Sequence, residues 1–206
     1  MAGRKRFDLE PYFAGIDRGA SYEHPIAMQF LTNGPQAHWQ TIEQAFIKAC
    51  SIAHEEILVQ TPYFLPPEGL LMSLCSAALR GVHVSVMLPE RGDSYLTQRA
   101  SDSYLTQLLQ AGVDVRRYRG GFLHSKLLVV DRRIVGIGSA NMDFRSLEIN
   151  LEVMSFVYDK RIAEELSEAF EEDLQECHQL TLEEWSERSF WIRTLEALAR
   201  LFSPLL

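Results

Sequence analysis

His124-Ser125-Lys126, Leu127-Leu128-Val129-Val130, Asp131-Arg132-Arg133, Ile134-Val135-Gly136-Ile137 and Gly138-Ser139-Ala140-Asn141 follow one another without a gap, and this stretch decides how the chain reads. Its two apolar runs have strand length and are separated by a charged turn, which predicts two short β segments. Side chains two apart on a strand share a face, so His124 and Lys126 emerge together, an imidazole beside a fixed positive charge. The second run delivers Gly138-Ser139 to a predicted helix start near Asn141, where unpaired backbone amides would suit an anion. An imidazole, an ammonium, a hydroxyl and a carboxamide thus converge where a phosphate could sit.

Upstream, strand-like and helix-like pieces alternate. Ile26 to Leu31 is short and apolar, and His38 to His54 has helical spacing through Ile42, Ala45, Phe46 and Ala49. Ile57-Leu58-Val59 reads as a buried strand that stops at Thr61-Pro62. Pro66-Pro67 open a second helix that ends at Gly81, and Val82 to Val86 alternates as a strand does. A third helix is predicted over Ser103 to Ala111, closed by Gly112 and followed by the strand Val113-Asp114-Val115. Strands and helices at this interval indicate an α/β sandwich with a mixed, largely parallel sheet covered on both faces. The hexapeptide Asp93 to Gln98 recurs at Asp102 to Gln107, and one short repeat is no solenoid.

Downstream, Lys160 to His178 reads as an acidic amphipathic helix. Thr181-Leu182-Glu183-Glu184 offers a capping box for a final helix. That helix carries Trp191, Leu195, Leu198 and Phe202 at one-face spacing, which is expected to pack on the domain. The alternative is an interfacial membrane or partner contact by Trp191 and Phe202, with Arg193 and Arg200 near lipid headgroups. The expected organisation is an unassigned leader over 1–25, a catalytic half-domain over 26–178 with its motif segment at 118–145, and a helical tail over 179–206.

A chain of 206 residues, 47% apolar and 23% charged, suits one main globular domain. The net charge of −8 counts against nucleic acid as a partner, since duplex binding rests on neutralising phosphates. Cys50, Cys75 and Cys177 form no CxxC pair and read as residues of a reducing compartment. No run approaches the roughly 20 apolar residues of a spanning helix. The basic start Met1 to Arg6 precedes Phe7-Asp8-Leu9-Glu10 and does not read as a signal peptide.

The chemistry follows from the residue types. The anionic oxygens of a phosphodiester repel nucleophiles, and Lys126, Ser139 and Asn141 can offset that charge and the further charge of a five-coordinate transition state. A neutral imidazole can attack phosphorus and split one hard displacement into two easier ones, which makes His124 the candidate nucleophile. A carboxylate on the other ring nitrogen would fix the tautomer, and Glu152 is the candidate for that role. The stretch lacks a cluster of metal ligands, and neither metal nor cofactor is expected.

The segment resembles the HxKxxxxDxxxxxxGSxN signature of the phospholipase D superfamily, carried here by His124, Lys126, Asp131, Gly138, Ser139 and Asn141. Glu152 falls where that family places an acidic partner of the histidine. Gln60 to Phe64, Ala78 to Val82, Gly121 to His124, Asn141 to Ser146, Glu171 to Leu174, Leu182 to Trp185 and Ser203 to Leu206 are similar to the C-terminal half of bacterial cardiolipin synthases. The resemblance runs from about residue 26 to the C-terminus. It implies transfer of a phosphatidyl group from one phosphatidylglycerol to another through a phosphohistidine, giving cardiolipin and glycerol at the bacterial inner (cytoplasmic) membrane. It also implies a structural role for Asp131, which orients neighbours and does not touch substrate.

The family uses two such motifs per site, one histidine as nucleophile and one as general acid, and this sequence holds one. His24, His38, His54, His83 and His178 have no lysine two residues on. The second motif is expected from a homodimer partner or from a missing N-terminal half. The alternatives are a single-motif homodimeric phosphodiesterase, phospholipase or nuclease, and an inactive fragment or interaction module. Arg145 is a candidate for headgroup phosphate or for an internal ion pair, and Tyr63, Phe64, Pro66 and Pro67 follow a strand end where they could line a lipid cleft.

Overall fold

The computed structural model describes residues 25–36 and 39–205; the leader, His24 and His38 lie outside them. The chain runs β1 (Ala27–Asn33), α1 (Thr41–Ile52), β2 (Glu56–Gln60), β3 (Phe64–Leu65), α2 (Glu68–Leu79) and β4 (His83–Pro89). It continues through α3 (Tyr95–Gln110), β5 (Asp114–Tyr118), β6 (Leu127–Val130), β7 (Ile134–Gly138) and β8 (Met142–Asp143). A π-helical turn at Arg145–Ile149 leads to β9 (Glu152–Tyr158), α4 (Lys160–Leu174) and β10 (Cys177–Leu180). The described chain closes with α5 (Leu182–Ser186), α6 (Phe190–Arg200) and a 3-10 turn at Ser203–Leu205.

Eight strands form one sheet in the order β1-β9-β7-β6-β2-β4-β5-β10. The sheet is mixed but not largely parallel as expected: parallel pairing is confined to β2-β4-β5, because the β6–β7 hairpin and the strands beside it run antiparallel. The other neighbours are antiparallel. Side chains alternate between two cores. Ile57, Val59, Val84, Val86 and Leu128 face the layer that includes α1, α2 and α3, where Ile42, Phe46, Leu70, Leu74 and Leu105 are fully or almost fully buried. Leu58, Met87, Val129, Val135 and Val157 face Ala163 and Phe170 of α4 on the other side. Both faces are therefore covered, as β2, β4 and β6 require with apolar residues pointing both ways.

Four local readings change. Helix α3 begins at Tyr95, eight residues before the expected start, because Ser94 caps it by accepting from the Thr97 amide. The first hexapeptide copy thus starts the helix and the second lies within it. The acidic helix α4 stops at Leu174, and His178 belongs to β10, which pairs with the exposed side of β5. Thr181 does cap a helix through the Glu184 amide, but it is the short α5; α6 has its own cap at Ser189. Finally, no helix begins at Asn141: the chain there forms β8, a two-residue parallel ladder with β3.

The expected packing of the C-terminal stripe is also overturned. Helix α6 lies against α3 through Glu196 and Ala199, while Trp191 is 77% and Leu198 53% exposed. Glu196 decides this orientation. Its carboxylate accepts from Arg188 at 2.5 Å and lies 3.7 Å from Arg99 of α3, so a charged residue is the one drawn inward. Arg200 adds to the seam by stacking on Tyr104 and donating to Gln107.

Candidate active site

The β6–β7 hairpin builds the site. Its register pairs Leu127 with Ile137 and Val130 with Ile134. Residues before Leu127 and after Ile137 therefore meet at its open end, which gathers His124 to Lys126 against Gly138 to Asn141. At the closed end Asp131 and Arg132 take φ of +50° and +48°, and the Arg133 amide donates to the Val130 carbonyl. Two consecutive left-handed residues make a type I′ turn, whose twist matches the strands but disfavours side chains with a Cβ. The Asp131 carboxylate compensates by accepting from the backbone amides of His54, Glu55 and Glu56, tying the turn to the start of β2. Burial by itself would raise its pKa, but these amides outweigh it and hold the carboxyl below its ordinary value. Asp131 lies five residues from Lys126, roughly 16 Å along an extended strand, so it anchors the hairpin and is no part of the reacting centre.

His124 is solvent-exposed and stacks on Phe122, with ring centroids 5.6 Å apart. Lys126 Nζ lies 3.2 Å from His124 Nδ1 and donates to the His124 carbonyl at 2.8 Å. An ammonium can only donate, so it favours the tautomer in which Nδ1 accepts and Nε2 carries the proton. Burial lowers the Lys126 pKa, and the carboxylates of Glu152 and Asp143 oppose that shift. The imidazole and the ammonium are thus together, although residues 124–126 precede β6 and are not strand; the Lys126 bond to the His124 carbonyl holds them so.

Glu152 sits differently from expectation. As the first residue of β9 it faces the end of β7, where the Ser139 hydroxyl donates to one carboxylate oxygen and the Asn150 side-chain Nδ2 to the other at 3.2 Å. The ring of His124 is not among its hydrogen-bond partners in the described residues. The reason is the register: β9 pairs Met154 with Gly138, which sets the Ser139 amide on the Val153 carbonyl at 2.9 Å and the Val153 amide on Ser139 Oγ at 3.0 Å. Ser139 is thereby locked to β9. Gly138 permits this approach, since a Cβ there would stand 2.2 Å from the Val153 carbonyl oxygen.

Asn141 is partly buried, its side chain bonds the Asp143 carboxyl, and its Oδ1 has no partner among the described residues. Asp143, which sequence reasoning did not single out, is buried; it also accepts from the Ser146 amide at 2.7 Å. Burial raises its pKa, and the Glu152 charge adds to the rise. Asn141, Asp143, Arg145 and Asn150 line a polar groove of about 320 Å³, closed on the far side by Tyr63 and Asp93. The Tyr63 hydroxyl donates to Asp93, which pushes the phenol up to about 12. Of the residues after β2, Tyr63 therefore lines this groove, Phe64 is core, and Pro66 borders a different groove. The signal for Asp143 and Arg145 was proximity to Asn141; the β3–β8 ladder that buries Asp143 has no local sequence mark, and Arg145 follows it, exposed, in the π-helical turn.

The family model for the cardiolipin synthase phospholipase D-like domain matches residues 46–174, well over half the chain. The chain belongs to this family. Cardiolipin synthase of Listeria welshimeri is 43% identical over 201 residues, covering 98% of this chain and 41% of that protein. The phospholipase D-like chain thus spans about two fifths of the length of the curated relatives it matches. The fold is also that of solved structures. Phosphatidylserine synthase of Haemophilus influenzae superposes with TM-score 0.68 at 16% identity, over 88% of this chain and 48% of that one. The phospholipase D family member Nuc of Salmonella typhimurium gives 0.65 at 19% identity, over 76% and 99%.

Proposed function

We propose that this phospholipase D-like chain is a phosphatidyltransferase half of cardiolipin synthase type, with His124 as its nucleophile. The observation that carries the reading is the exposed imidazole with one ammonium 3.2 Å from its ring, at the open end of a hairpin whose far end is clamped by Asp131. His124 Nε2 attacks the phosphorus of phosphatidylglycerol, the bond to the glycerol oxygen breaks, and a phosphatidyl-histidine forms. The hydroxyl of a second phosphatidylglycerol then attacks phosphorus, the P–N bond breaks, and cardiolipin leaves. Attack through Nε2 needs that nitrogen unprotonated. The incoming phosphate draws Lys126 off Nδ1; the ring then gives its Nε2 proton to solvent and takes one from solvent at Nδ1. Lys126 then holds the anionic oxygens through the transition state. Glu152 supports the site through Ser139 and by its charge near Lys126. The orphaned Asn141 Oδ1 suits a hydroxyl donor such as the headgroup glycerol.

The proton for departing glycerol comes from a second motif, which in the second step takes the proton of the attacking hydroxyl. That motif lies on a second copy of the chain or on a further half such as the longer relatives have room for. Exposed apolar side chains support such a lobe at this end of the sheet: Phe122 beside His124 is 67% exposed, and Phe30 and Ile137 stand in one cross-strand row through Ser155. The lipid substrate places the site at a membrane surface.

A phosphatidyl ester of p-nitrophenol tests the nucleophile without the second motif, because this leaving group needs no proton. Wild-type chain is expected to release a burst of p-nitrophenolate stoichiometric with protein, and peptide mapping after alkaline quench should place the adduct on His124. A burst that persists in His124→Ala, or an adduct on another residue, refutes the assignment.

A further inference from the structure

Helix α6 turns an apolar arc outward. Phe190, Trp191, Leu195, Leu198, Leu201 and Phe202 are all exposed, while Glu196 and Ala199 face the domain. Surface helices of globular proteins bury such an arc, and here the inward side is taken by a charged residue held by Arg188. Of the arginines at 188, 193 and 200, Arg188 is held by Glu196 and Arg200 by Tyr104 and Gln107, which leaves Arg193 as the exposed cation beside the arc. An apolar arc bearing aromatics and bordered by an exposed arginine matches an anionic lipid surface in polarity and charge.

The arc is continuous with a groove that leads toward the site. Ala197, Arg200, Leu201 and Pro204 form one wall of a groove of about 440 Å³; Pro66, Leu71, Met72 and Phe144 give it an apolar side, and Glu68, Tyr104 and Gln107 a polar one. Phe144 lies between Asp143 and Arg145, and Pro66 follows Leu65; these three neighbours line the polar groove beside Asn141. The short segment around Phe144 thus separates a polar chamber from the apolar side of the other groove. Among the described residues no helix is long and apolar enough to cross a membrane, so the fitting geometry is a helix lying in the interface.

We propose that α6 is the membrane contact of this domain: its apolar arc enters an anionic phospholipid surface, and the groove at its C-terminal end receives an acyl chain of the lipid whose headgroup lies in the polar groove. The acyl-chain assignment rests on the function proposed above; the membrane contact does not. Arg193 meets lipid phosphates, and the groove's place beside Phe144 lets the substrate be drawn only part-way out of the bilayer.

Flotation of the full 206-residue chain with phosphatidylglycerol vesicles and with phosphatidylcholine vesicles tests the contact. Wild-type protein is expected to float with the anionic vesicles, and Trp191→Asp combined with Leu198→Asp to lower the bound fraction at least tenfold. Because both side chains are exposed, circular dichroism should show an unchanged fold. A second variant, Arg193→Glu, should weaken binding to the anionic vesicles only. A monomeric short-chain phosphatidyl p-nitrophenol keeps the two proposals apart: the double variant should retain its burst there while losing flotation. Undiminished flotation of the double variant would overturn the membrane contact. So would absence of vesicle binding by wild type together with a dimer that the double variant dissolves, since the arc would then cover protein. For the acyl chain, Met72→Trp should raise the lipid concentration for half-maximal burst severalfold with long-chain but not short-chain substrate; equal effects on both remove that assignment.

Discussion

The hydroxyl of Ser139 donates to the carboxylate of Glu152 across the seam between β7 and β9. The donor expected to meet substrate phosphate is therefore engaged, and the carboxylate expected on the histidine ring is engaged with it. The two residues should act as a unit. Ser139→Ala and Glu152→Gln are each expected to slow p-nitrophenolate release about a hundredfold, and the double variant should be little worse than either. Additive losses, read in a double-mutant cycle, would separate their roles.

Lys126 should control the tautomer of His124. In the substrate-free protein, ring nitrogen chemical shifts are expected to report the proton on Nε2, because Lys126 donates to Nδ1. Lys126→Met should shift the ring toward the other tautomer and reduce burst rate on the order of a thousandfold. A variant ring with unchanged nitrogen shifts would detach the lysine from the tautomer.

Asp131→Asn should weaken the fold without reaching the chemistry. Losing the charge from a carboxylate that serves three backbone amides is expected to cost on the order of 2 kcal/mol, measured by denaturant unfolding. Since the folded chain holds this carboxyl below its ordinary pKa of about 4, the contribution is whole above that pH and drains away as acid takes the pH through the lower, folded value. Acid titrations of variant and wild type should therefore converge at low pH and diverge near neutrality.

At Gly138 the added methyl of alanine would collide with backbone, having the Val153 oxygen 2.2 Å and the Met154 Cα 2.8 Å away. Neither atom can swing aside as a side chain would. Gly138→Ala is expected to destabilise by about 1–3 kcal/mol and to move Ser139, so melting temperature and burst amplitude should fall together.

What was legible in the sequence was local. The hairpin declares itself through two strand-length runs and a turn. Lys126 does approach His124, but through its bond to the His124 carbonyl in irregular backbone before β6 and not through a shared strand face. The β8 ladder does not declare itself, because Met142 pairs with Phe64 far back in the chain and any segment after Gly138 could have been helical. The direction of Glu152 was hidden for a related reason: it depends on the pairing of β9 with β7, which a histidine-to-glutamate spacing does not encode. In α6 the apolar periodicity was plain, but a stripe looks the same whether it faces inward or outward. Only the attachment of Glu196 to Arg188 and its approach to Arg99 settle which side meets the domain.

β6 and β7 lie inside the sheet, hydrogen-bonded on both sides, whereas β1 and β10 form its margins. Amide exchange should accordingly be slowest at Leu128 and Val135 and fastest in the margins, so transient opening would shed the periphery while leaving the hairpin that carries His124 intact.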